Sequence, residues 1–194
     1  TMRQWSEEQK LGTLEVLLTL PVRTSELVIG KFVAGMMLVF LALVLTLPLP
    51  LTVGNLGQLD WGPVIGGYVG AMLLASADMA IGLCVSARTD NQIVALMVTL
   101  VVGGILYLIG AKAVASFFGN ETSEFLRAIG TGSRFESIER GVLDVRDFLY
   151  YGSLTVFFLV LNVYFLELKR MEAQPSDGAS KRPIFLTTVI LVGL

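Results

Sequence analysis

Asp78 is the one ionisable side chain lying deep within an apolar run of this sequence, so it is the first residue to ask about chemistry. A carboxyl group at the centre of a hydrocarbon layer costs about 2.5 to 3.5 kcal/mol to insert, against a return of about 0.3 to 0.6 for each Leu, Ile, Val or Phe. The eight such residues between 63 and 87 roughly cancel that cost. The helix must therefore turn Asp78 toward protein or water. It marks a transport pathway, or it forms a packed hydrogen bond, to Ser76 or to a neighbouring span.

Other chemistries are excluded by composition. There is no His, hence no imidazole base, no Ser-His-Asp triad and no imidazole metal site. The single cysteine, Cys84, allows neither an internal disulfide nor a Cys-x-x-Cys site. Gly30-Lys31 is followed by Phe32 and heads an apolar run, so it is no phosphate-binding loop. A net charge of -2 gives no electrostatic reason to expect a nucleic-acid partner. No catalytic, cofactor-binding or metal-binding residue follows from the sequence.

The elements that position these residues are membrane spans. Of 194 residues only 15% are charged and 54% are apolar, where a soluble domain carries about 25% charge. A helix needs about 20 apolar residues to cross the hydrocarbon layer. The uncharged runs predict spans near 27–50, 63–87, 92–111 and 148–166, with a fifth beginning at Pro183 and cut at Leu194. The fold class is thus all-α, a polytopic helical membrane protein of about four complete spans plus the start of a fifth. Placing residues 1–26 in the cytoplasm puts nine Lys and Arg inside and five outside, all five in the loop 112–147. Residues 171–182 read as a flexible cytoplasmic linker.

Two polar segments carry helix punctuation. In the first, Gly12 breaks the pattern, Thr13 is an N-cap, Glu15 sits in the first turn and Pro21 ends a short helix, 13–20. Leu14, Leu17 and Leu18 share its apolar face. Basic residues would favour lipid against that face; the acidic flank of Glu7, Glu8 and Glu15 favours a protein partner. In the outer loop, Thr122 caps a helix ending at Gly130, and Ser133-x-x-Glu136 reads as a capping box for another ending at Gly141. Thr89-x-x-Gln92 reads as a third capping box, opening the span at 92.

The run Glu7-Glu8-Gln9-Lys10-Leu11-Gly12-Thr13-Leu14-Glu15-Val16-Leu17-Leu18-Thr19-Leu20-Pro21-Val22, followed by Gly30-Lys31-Phe32, resembles the cytoplasmic segment of ABC transporter type 2 permeases. Gly82 to Ala95 resembles the same family's turn between later spans. The resemblance implies a transmembrane permease, an exporter of the plasma (inner) membrane, in which a separate nucleotide-binding ATPase subunit binds and hydrolyses ATP. It implies a second permease copy, and a coupling segment formed by Glu7, Glu8, Gly12, Thr13, Leu14, Glu15, Leu17 and Leu18. It also implies two further spans upstream of Thr1. Phe135 to Asp147 with Tyr150-Tyr151 resembles the branch of gliding-motility and copper-enzyme-maturation permeases; Phe135, Glu136 and Arg140 are then outer-loop contacts for substrate, or else part of a solvated cap. The stretch from Pro183 resembles the anchor helix of a gliding-type auxiliary protein. A secondary transporter, or a membrane scaffold without an ATPase partner, is the competing reading.

Overall fold

A computed structural model describes residues 3–13, 22–110, 130–141 and 144–173. Every regular element among them is helical. The order is α1 (Arg3–Lys10), α2 (Thr24–Thr46), α3 (Pro48–Leu56), α4 (Trp61–Ser86), α5 (Gln92–Gly110), α6 (Thr131–Glu139) and α7 (Val145–Ala173). Four stretches are long and apolar enough to cross a membrane: Thr24–Leu56, Trp61–Ser86, Gln92–Gly110 and Val145–Met171. The chain is a multi-pass membrane protein with the four spans expected. The expected fifth span and linker, from 174 onward, lie outside the described residues.

Three helices start where a short acceptor side chain takes an orphaned backbone N–H. Asp60 accepts from Gly62 at 3.0 Å, Asn91 Oδ1 from Ile93 at 3.0 Å and Asp144 Oδ1 from Arg146 at 3.0 Å. Two expected caps are corrected by this. Asn91, not Thr89, opens α5; the Thr89 hydroxyl donates back to the Val85 carbonyl at 3.0 Å. Ser133 lies inside α6, which starts at Thr131, and donates to the Gly130 carbonyl at 3.3 Å. In both cases a hydroxyl two or three residues from the capping position satisfies a carbonyl behind it instead of an N–H ahead.

The first span is longer than 27–50. Pro48 was expected near its end, yet α3 continues the helix to Leu56 because Leu47 keeps helical angles and Pro48 takes the first helical position, where no N–H is required. Leu47 N–H bonds the Val44 carbonyl at 3.1 Å, a tightened turn, and the Thr46 hydroxyl donates to Leu43 at 2.7 Å while meeting the Tyr68 hydroxyl at 2.8 Å. The prolines thus interrupt the hydrogen-bond ladder at Leu47 without ending the span.

α4 is the central helix: half of its most apolar window is buried, against 6% for that of α2. α7 packs along α4, where Ser76 meets Thr155 at 3.1 Å. α2 leaves Met37, Leu38 and Leu45 about 70% exposed. In a protein of this composition that face belongs to lipid. One apolar core, at the α1 end, joins Trp5, Val28, Leu83, Ala87, Val163 and Leu166. A second, toward the α6 end, joins Ala77, Ile138 and Tyr151.

Candidate functional site

Three places hold the residues singled out above. The first is the α1 junction. An eight-residue polar helix has little intrinsic stability, so α1 forms by docking. Trp5 and Ser6, in its first turns, both donate backbone N–H groups to the hydroxyl of Ser86 at 3.2 Å, at the end of α4. Those N–H groups have no carbonyl ahead of them within α1. Trp5 is fully buried between α2, α4 and α7. Lys31, two turns into α2, sets its ammonium 3.8 Å from the Trp5 ring centroid and 2.6 Å from Glu8 Oε2. The ion pair and the ring contact thus fasten α1 to the first span.

Glu7 lies on α1, and Glu8 is the partner of Lys31. Gly12 then turns the chain away with φ +71°, a left-handed conformation that a side chain would strain. The Thr13 hydroxyl donates to the Glu8 carbonyl at 3.2 Å, tying the start of the next segment to the end of α1. Leu14, Glu15, Leu17 and Leu18 lie outside the described residues. The helix α1 itself was missed in the sequence; its one signal is Trp5, a lone aromatic in a polar octet.

The second place is a cavity of about 570 Å³ between α2, α4 and α5. Asp78 lines it, with Thr99, Tyr107 and Gly103 among its neighbours there. The expected bond from Asp78 to Ser76 does not form. Residues two apart on a helix lie on nearly opposite faces, and Ser76 instead donates to the Leu73 carbonyl at 2.7 Å and meets Thr155 across the α4–α7 contact. α5 passes close to the carboxyl group because it carries glycine there: a Cβ on Gly103 would stand 3.0 Å from Asp78 Oδ1.

The third place is α6, the cap at the opposite end from α1. A Cβ on Gly66 would run into the Ile138 carbonyl, so only glycine lets α6 seat against α4. Arg134 pairs with Asp147 at 2.9 Å and lies 4.4 Å from the Tyr150 ring, while the buried Tyr151 hydroxyl donates to the Thr131 carbonyl at 2.9 Å. Phe135 is a packing residue, its ring 6.4 Å from that of Tyr107 and against Gly70. Glu136 is half-buried and Arg140 exposed. The structure brings Phe135 into the bundle and leaves Arg140 outside it. Arg134 and Asp147, which organise this cap, were not singled out in the sequence, although their opposite charges thirteen residues apart were the available signal. The expected helix from Thr122 lies outside the described residues.

Among the described residues no group of three His, Cys, Asp or Glu side chains is placed to hold a metal ion, and Cys84 is buried. No nucleophile is paired with a base there. What the geometry provides is an apolar bundle, an open cavity on its side and a polar helix bolted to one end. No curated protein and no solved structure matched the chain. A family model described as ABC-2 family transporter protein matches residues 4–194, nearly its whole length. The chain belongs to the ABC-2 transporter family.

Proposed function

We propose that this chain is the membrane-spanning permease subunit of an ATP-binding cassette exporter, driven by ATP hydrolysis in a separate nucleotide-binding subunit and working beside a second permease copy. The observation that carries the reading is the α1 junction. A polar helix directly ahead of the Leu-rich segment 13–20 is locked to three spans at once, through Ser86 on α4, Lys31 on α2 and the Trp5 core on α4 and α7. In this reading the acidic flank and Leu14, Leu17 and Leu18 meet the ATPase subunit, and α1 passes the displacement to the bundle. The nine-to-five division of Lys and Arg supports a cytoplasmic α1 end in the plasma membrane, with α6 outside. The ATP is the partner's; this chain supplies no catalytic group.

A secondary transporter without an ATPase draws on Asp78, since such proteins use midplane charges. Family membership weighs against it. Affinity purification of the full chain from its own membrane separates the two. Recovery of a subunit with a G-x-x-x-x-G-K-[ST] loop, and ATP hydrolysis by the assembly, are expected; a chain that transports while no such subunit accompanies it would overturn the proposal.

A further inference from the structure

The cavity at Asp78 is large enough for a small organic molecule, since ligand pockets span roughly 300 to 1,000 Å³ and this one has about 570 Å³. Its lining is apolar apart from Asp78, Thr99 and Tyr107. Asp78 makes no hydrogen bond and no ion pair among the described residues. It stands eight residues before the end of α4, about 12 Å along the helix at 1.5 Å per residue, exposed in a groove that opens on the side where Leu100 and Leu108 are themselves exposed. A carboxyl group that faces a largely apolar groove at this depth is held charged only when a cation stands against it, and a hydrated metal ion is a poor match. The backbone carbonyls nearby are engaged within helices, the Thr99 hydroxyl donates to the Ala95 carbonyl at 2.7 Å, and no second carboxylate lines the chamber. Hard cations require several oxygen ligands. An ion that carries its own apolar body fits both the wall and the charge, with the Tyr107 ring as an aromatic side to the chamber.

We propose that this cavity binds a monovalent organic cation with an apolar body, its charge set against Asp78. The site goes beyond the transport reading and is independent of it, because binding requires neither an ATPase nor turnover. Gly103 and Gly104 give the chamber its depth: at Gly104, which also lines it, an added Cβ would meet nothing within 4 Å.

The test is equilibrium binding to the full chain in phosphatidylcholine nanodiscs, with empty nanodiscs subtracted. Tetraphenylphosphonium is the probe, and tetraphenylborate, of the same shape and opposite charge, is its control. Saturable binding of the cation and none of the anion is expected. Asp78→Asn should weaken cation binding at least about tenfold, while Asp78→Glu keeps it within about threefold. Gly104→Leu fills the chamber with Asp78 in place and should also weaken binding at least about tenfold; leucine is the better helix former, so helix content and elution volume should not change. Equal binding of cation and anion, or unchanged cation binding in a well-folded Asp78→Asn or Gly104→Leu chain, overturns the proposal.

Discussion

The ammonium of Lys31 and the carboxylate of Glu8 stand 2.6 Å apart, joining the polar helix α1 to the first span. Both side chains are about three-quarters or more shielded from solvent, so the pair is worth more than a fully solvated one, about 1 kcal/mol or somewhat above. A double-mutant cycle with Glu8→Gln and Lys31→Met, read by thermal unfolding of the purified chain, should give a coupling energy of that size. A coupling near zero would mean that the Trp5 core alone holds α1.

Trp5→Ala should cost about 3 to 5 kcal/mol, as expected when a large buried side chain is removed. Limited proteolysis should then cut first within residues 3–13. A variant whose cleavage rate in that segment matches wild type would show that α1 does not depend on Trp5.

Ser86→Ala removes the acceptor shared by the Trp5 and Ser6 N–H groups, a loss of about 1 to 3 kcal/mol. Hydrogen exchange at those two amides should accelerate while amides in the middle of α4 do not. Uniform acceleration along α4 would locate the damage elsewhere.

Gly66 and Gly67 give a paired test of the α6 seat. Gly66→Ala places a methyl group against the Ile138 carbonyl and should cost about 1 to 3 kcal/mol through overpacking. At Gly67 the added Cβ meets nothing within 4 Å, and Gly67→Ala should be neutral or up to about 1 kcal/mol stabilising. Equal melting shifts in the two variants would refute close packing of α6 on α4.

For the coupling segment, Leu17→Ser with Leu18→Ser leaves every described span untouched. Normal membrane insertion is expected, together with weaker recovery of the ATPase subunit and loss of substrate-dependent ATP hydrolysis. Removal of this apolar face should cost the assembly a few kcal/mol at about 25 cal/mol per Å². Retained partner and retained coupled hydrolysis would show that 13–20 is not the docking element.

The spans were legible because a crossing helix is written as a long uncharged run, and the membrane allows little else. Their exact ends were not. The uncharged run placed the first end near 50, but Pro48 occupies a position where its missing N–H does no harm and the helix runs on to Leu56. α1 escaped notice for a different reason: nothing in its own eight residues predicts order, since its stability comes from a Ser86 hydroxyl and a Lys31 ammonium distant in sequence. Asp78 was visible as a misfit, but its direction depended on which face α7 occupied. Once Ser76 and Thr155 fix that face, the carboxyl group is left facing α5. The packing of Phe135 against Tyr107 and the Gly66 seat beneath α6 could be read only from the close approach of separate helices.

The helix boundary at Pro48 bears on how one wall of the cavity is held. α4, α6 and α7 are cross-braced by a glycine seat, an ion pair and a buried tyrosine. The first span packs on these helices through Val28 and through Gly35 against Met79, whereas α3, beyond Pro48, has no buried residue. Val39 of α2 forms one wall of the chamber that Asp78 lines. That wall is thus tied by polar contacts on either side of Val39, by the Thr46–Tyr68 bond toward Pro48 and by the Lys31 contacts toward α1.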